Sequence, residues 1–106
     1  MSWQAIQKET FQNWVNHKLS GSGLSVANLY TDLKDGLTLH ALLETLSKSK
    51  FGKINPKPQG RIHMLSNLSI STDYLKENCK LVGIGPEDIH DGNEKLILGA
   101  VWTTML

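Results

Sequence analysis

Four histidines, one cysteine and ten carboxylates are the side chains of this sequence with the widest chemical repertoire. A zinc site built from histidine or cysteine needs close ligand pairs, because short bonds must converge on one ion. His17, His40, His63 and His90 offer no pair at i, i+3 or i+4, and no cysteine accompanies them. Asp32 and Asp35 do not supply the regularly spaced oxygens of a calcium loop. No serine or cysteine sits in a nucleophile motif such as GxSxG. "GSG" at Gly21 lacks both a third glycine and a preceding strand, and "GK" at Gly52 lacks the Walker spacing. The expectation is a protein with no cofactor, no metal and no enzymatic activity.

Composition narrows the class further. A chain of 106 residues forms one domain, spanning 1–106, and can bury roughly two thirds of its unfolded surface. A single cysteine, Cys79, excludes an internal disulfide and fits a reducing compartment. The opening "MSWQAIQKET" has no secretory pattern, and no run approaches the ~18 apolar residues of a membrane span. "NLS" at Asn67 matches a glycosylation sequon, which is idle on a cytosolic chain. A net charge of +1 implies no nucleic acid partner. The charge is nevertheless uneven. No acidic residue lies between Glu44 and Asp73, while Lys48, Lys50, Lys53, Lys57 and Arg61 fall inside that gap. Such a stretch is either a solvated loop or a surface for acidic phospholipid headgroups.

Helical periodicity supplies the elements that would position these groups. Trp3, Ile6, Thr10, Phe11, Trp14, Val15 and Leu19 recur at spacings of three and four after a candidate cap at Ser2, predicting a long amphipathic helix. "SGSG" from Ser20 to Gly23 ends it. "LSVANLYTDL" has no clean period and room for one helical turn. Leu39, Leu42, Leu43 and Leu46 mark a second helix, and Pro56 and Pro58 a loop after it. Ile62, Leu65, Leu68, Thr72 and Leu75 mark a third helix, ending near Cys79; its "LSISTDY" is a weak helix former that must rely on packing. "LVGIGPEDI" reads as a connector. A final helix follows, with Leu98, Val101, Trp102 and Met105 expected on its core face. Phe11, Trp14, Leu39, Leu42 and Leu43 are the other expected core residues. With no strand pattern, the fold class is all-α.

One local device occurs twice. "DLKDGLTLHALLETL" and "DIHDGNEKLILGAVW" share an Asp, an aliphatic residue and Asp-Gly ahead of a helix. Asp35 and Asp91 are the expected caps, with Glu94 completing a capping box in the second copy.

Taken in order, "TFQNWVNHKL", "NLYTDLKDGLTLHALLETLS" and "KLVGIGPEDIHDGNEKLILGAVWTTML" resemble a calponin-homology domain, specifically the amino-terminal one of the tandem pair in actin-crosslinking proteins. Among the tandem families the wording is nearest to the filamins. Departures lie at Val15, where a cysteine is common, at His17 and Lys18, and in the "KINPKPQG" loop, which puts a shared lipid site in doubt. The resemblance implies a compact helical fold, four main helices plus short connecting ones, that binds filamentous actin in the cytoplasmic cytoskeleton without catalysis. It implies actin contacts at Thr10, Gln12, Asn13, Asn16 and His17, at Lys34 and Thr38, and at Val82, Ile84, Asn93, Lys95 and Leu96. It also implies a second calponin-homology domain in a longer parent protein, and the surplus apolar side of the last helix then has two candidate owners, actin along Leu96 and that second domain nearer Leu106. The rival reading is an adaptor or regulatory domain of a cytoskeletal signalling protein that uses the same fold without binding actin strongly.

Overall fold

A computed structural model describes residues 3–50, 52 and 54–105. Ser2 and Lys53, a candidate cap and a candidate lipid ligand, lie outside the described residues. The order is α1 (Trp3–Lys18), α2 (Leu29–Asp32), α3 (Leu37–Ser47), α4 (Gly60–Cys79), α5 (Pro86–His90) and α6 (Glu94–Met105), with no β-strand among the described residues. The four expected helices are α1, α3, α4 and α6. Two short ones join them, and α5 occupies what the sequence presents as a plain connector.

The repeated Asp motif explains both short helices. The Asp32 carboxylate reaches back to accept from the N–H groups of Ala27 and Asn28, at 2.7 and 2.9 Å, and Asn28 Oδ1 accepts from the Tyr30 N–H. Asp88 does the same for α5, accepting from the Gly85 N–H at 2.9 Å. Pro86 sits in the first turn of α5, where a missing donor costs nothing. Thus the first acid of each copy closes a helix of five residues or fewer, which could not hold itself together otherwise.

The second acid of each copy diverges. Asp35 Oδ1 accepts from the Leu37 N–H at 3.0 Å, but the cap position of α3 is Gly36, in the left-handed region, so the expected Asp35 cap stands one residue ahead of it. Asp91 does not cap α6; it ends α5 and pairs with Arg61 at the start of α4. Asn93 is the cap instead, with its Oδ1 accepting from the Leu96 N–H and its carbonyl from the Ile97 N–H. Gly92, at φ +79°, turns the chain between them, so the helix begins two residues later than an Asp91 cap would require.

Leu68 and Leu75 of α4 and Leu39, Leu42 and Leu43 of α3 form the middle of the core. Phe11 and Val15 of α1, Ile89 of α5, and Ile97, Leu98, Ala100 and Val101 of α6 close around them. Burial of these side chains offsets the low helix propensity of "LSISTDY", whose Ser71 and Thr72 are themselves buried. Gly36 lets α3 approach α4 closely. It has φ +82°, and a Cβ there would meet the Asn67 Cβ at 2.5 Å and the Leu68 nitrogen at 2.9 Å.

α1 and α6 lie side by side and run in the same direction: Gln4 Nε2 donates to Glu94 Oε1 at 2.9 Å, and further along Phe11 stacks on Trp102 with ring centroids 6.1 Å apart. Trp102, expected in the core, is 52% exposed. The core face of α6 is filled by Ile97, Leu98 and Val101, and a helix turns about 100° per residue, which carries Trp102 onto the flank facing α1. Trp3 and Ile6 of the expected α1 stripe, and Ile62 of the expected α4 stripe, are likewise exposed.

Candidate functional site

α1 divides into three longitudinal strips. Phe11 and Val15 point into the core. Thr10, Asn13 and His17, at spacings of three and four, form an exposed strip. Gln12 and Asn16 lie half-buried on the flank of that strip and are engaged by the chain after the "SGSG" turn. The resemblance implies contacts at all five; the structure separates three exposed side chains from two that hold backbone.

On the other flank of the exposed strip, α6 leaves a shallow groove of about 510 Å³ lined by Trp3, Gln4, Gln7, Phe11, Lys95, Leu98, Gly99 and Trp102. Lys95 is exposed and is the charged residue in this lining. Asn93 is exposed but caps α6, and Leu96 is half-buried against the core. Thus the α1 strip and Lys95 stand on adjoining surfaces, brought together by the parallel packing of α1 and α6.

The remaining candidates separate. Val82 is 84% exposed in the link between α4 and α5. Ile84, two residues on, is buried and faces Gly99 of α6, where a Cβ would come within 3.3 Å of its Cδ1. Thr38 is also buried, in the first turn of α3, whereas Lys34 is exposed and its carbonyl accepts from His90 Nδ1 at 3.3 Å. Ile84 and Thr38 are therefore packed inward and not presented to a partner. Thr38 stands inside an apolar-periodic stretch, which is a signal of burial, whereas Ile84 lies in a glycine-rich link with no period.

The basic stretch is only partly unopposed. Lys48, Lys50 and Lys57 are exposed and make no ion pair among the described residues. Arg61 makes a two-pronged pair with Asp91, whose second bond, Nη2 to Oδ2, is 3.4 Å. That guanidinium holds the Asp91 carboxyl below the usual carboxylate range. The acid-free window in the sequence thus hides an acid supplied from 30 residues away.

The histidines have separate tasks. His40 is buried near Glu44, His63 Nδ1 accepts from the Gln59 N–H at the start of α4, His90 meets Lys34, and His17 is exposed. Among the described residues no three His, Cys, Asp or Glu side chains are grouped to hold a metal ion, and no helix is long and apolar enough to cross a membrane.

The helix order belongs to a known class of fold. The family model described as the calponin homology (CH) domain matches residues 5–106. This chain belongs to that family. It is 45% identical to alpha-actinin-like protein 1 of Schizosaccharomyces pombe, covering 98% of this chain and 17% of that protein. It is 44% identical to filamin-A of Drosophila melanogaster, covering 98% of this chain and 5% of that protein. Its fold matches the crystal structure of the actin-crosslinking core of Schizosaccharomyces pombe fimbrin with a TM-score of 0.88 at 25% identity, over 99% of this chain and 24% of that one. The chain therefore spans a small part of each of these relatives. Identities of 45% and 44% do not separate an actinin type from a filamin type.

Proposed function

We propose that this chain is an actin-filament-binding module, working as the first of two calponin homology domains in a filamin-like crosslinking protein of the cytoplasmic cytoskeleton. The observation that carries the reading is the match of fold to a solved actin-crosslinking core, on a chain that leaves Thr10, Asn13 and His17 exposed beside Lys95. The task is binding rather than catalysis.

Exposed apolar surface at Val82 would supply burial energy, and Lys34 and Lys95 would complement an acidic filament. Salt then weakens the complex only in part, because screening acts on the charges and not on the apolar contact. A single domain of this size offers a modest interface, so a second domain or oligomerisation of the parent would supply avidity. The groove between α1 and α6, walled by Trp3 and Trp102, is the surface assigned here to that second domain.

The test is co-sedimentation of the fragment with actin filaments beside a Lys95→Glu variant. Saturable pelleting that Lys95→Glu weakens by about tenfold, with helicity retained, is the expected result. Absence of pelleting at high protein concentration, both alone and with a second domain attached, would favour the adaptor reading instead. Exposed Lys48, Lys50 and Lys57 support a secondary affinity for acidic phospholipid, which vesicle pelleting independent of anionic lipid content would remove.

A further inference from the structure

We infer that Gln12 and Asn16 act on filament binding as positioning residues: they clip the segment Val26 to Leu29 along α1, so that exposed Leu24 and Ala27 extend the contact strip on its Asn13 side. The inference rests on the reading of α1 as a filament-contacting helix and names a part of that surface which the family resemblance did not supply.

The geometry is that of a strand edge built from side chains. An extended backbone alternates N–H and C=O groups, and a carboxamide carries one of each function at its tip. Asn16 takes both groups of one residue: its Oδ1 accepts from the Val26 N–H at 2.6 Å and its Nδ2 donates to the Val26 carbonyl at 2.9 Å. Gln12, one turn earlier, accepts from the Leu29 N–H at 3.0 Å and donates to the Ala27 carbonyl at 3.1 Å. Four backbone groups that neither α1 nor α2 could satisfy are thus paired by two side chains. Hydroxyls and carboxylates would not serve equally, since a carboxylate would face a carbonyl oxygen with no proton to give.

Placement follows from helix geometry. At about 100° per residue, Gln12 and Asn16 lie about 40° apart on α1, and Asn13 is about 60° beyond Asn16 on the exposed side. The clipped segment therefore borders the strip of Asn13 and His17. The loop leading into it is also ordered from within: the Ser22 hydroxyl donates to the Leu19 carbonyl at 2.6 Å and accepts from the Leu24 N–H at 3.1 Å. Leu24 is 38% exposed, an apolar side chain two residues before the Val26 that Asn16 holds. Val26 and Leu29 are buried and remain as anchors when the clip is cut, so its loss frees the loop without unfolding the domain.

The test uses the neutral isosteres Gln12→Met and Asn16→Leu together with Leu24→Ser. Amide exchange is followed at Val26 and Leu29, and filament affinity by co-sedimentation. The expected result is exchange faster by about tenfold at those amides in the first two variants, with filament affinity lower by about threefold to tenfold. Leu24→Ser should leave exchange unchanged and lower affinity on its own. Faster exchange with unchanged affinity would overturn the inference. So would weaker binding with unchanged exchange, since the amides would then touch the filament directly. A wild-type fragment that never pellets would sink the filament reading and this inference with it. A wild type that pellets beside unaffected variants would sink this inference alone.

Discussion

Asn67 of α4 grips the main chain of Asn55 at both polar groups: its Oδ1 accepts from the Asn55 N–H at 2.8 Å and its Nδ2 donates to the Asn55 carbonyl at 2.9 Å. The same nitrogen reaches the Asp35 carbonyl at 3.1 Å. One buried amide therefore ties α4 to the proline-bearing loop and to the start of α3. Asn67→Leu removes all three partners at once. We expect a loss of about 2–4 kcal/mol in urea unfolding, since desolvated backbone groups are left unpaired. A loss below about 1 kcal/mol would show that these groups find water instead.

Gly36→Ala should be more damaging than its size implies. Gly36 has φ +82° and a Cβ there meets backbone and side-chain atoms of α4, whereas Gly21 has φ +89° with nothing within 4 Å. Gly21→Ala then reports backbone strain alone, about 1–2 kcal/mol. Gly36→Ala adds a helix–helix clash and should exceed it by at least about 1 kcal/mol. Equal denaturation midpoints for the two variants would show that α3 and α4 separate without cost.

Acid should loosen the short helix α2. The Asp32 carboxyl is held below its ordinary value, chiefly by the Asn28 N–H, then by that of Ala27 and the Thr31 hydroxyl, against an opposing effect of burial. A carboxyl whose folded value lies below its unfolded one contributes its full stabilisation above the unfolded value, about 3.9. That contribution is lost as pH falls through the folded value. Asp91, held down by Arg61, acts in the same direction. Asp32→Asn should therefore lower stability at neutral pH and flatten the acid limb below about pH 4. Parallel pH profiles for wild type and variant would contradict this.

Trp102→Ala and Leu42→Ala distinguish seam from core. Leu42 is fully buried, and its truncation should cost about 2–5 kcal/mol. Trp102 is 52% exposed and loses mainly its stack on Phe11, so its truncation should cost about 1–2 kcal/mol despite the larger side chain. Thermal or urea unfolding of the pair checks the order. A larger loss at Trp102 would mean that the seam, not the central leucines, limits stability.

These contrasts also show what the sequence could disclose. Apolar spacing reveals α1, α3, α4 and α6 because a stripe such as Leu39, Leu42 and Leu43 records which side faces inward. It misplaces Trp102 because periodicity does not say how wide the buried stripe is. The helix α5 escapes it because five residues cannot show a period, and the cue that remained was Asp88 three residues after Gly85. Residue type alone points to Asp91 as readily as to Asn93; which of them caps α6 depends on the turn at Gly92 and on Arg61, a tertiary partner. At the candidate site periodicity sets Thr10 on the apolar stripe of α1, whereas the structure leaves it exposed with Asn13 and His17. The engagement of Gln12 and Asn16 was not legible, since an amide that binds backbone and one that faces solvent look alike in a sequence.

The parallel course of α1 and α6 has a mechanical consequence. Gln4 meets Glu94 near the start of both helices and Phe11 meets Trp102 further along, so the chain enters at one end of the seam and leaves toward the other. Tension applied at residues 3 and 105 would pull these two helices past each other lengthwise instead of peeling them apart from one end. The hydrogen bond, the ring stack and the apolar contacts between them would bear the load together.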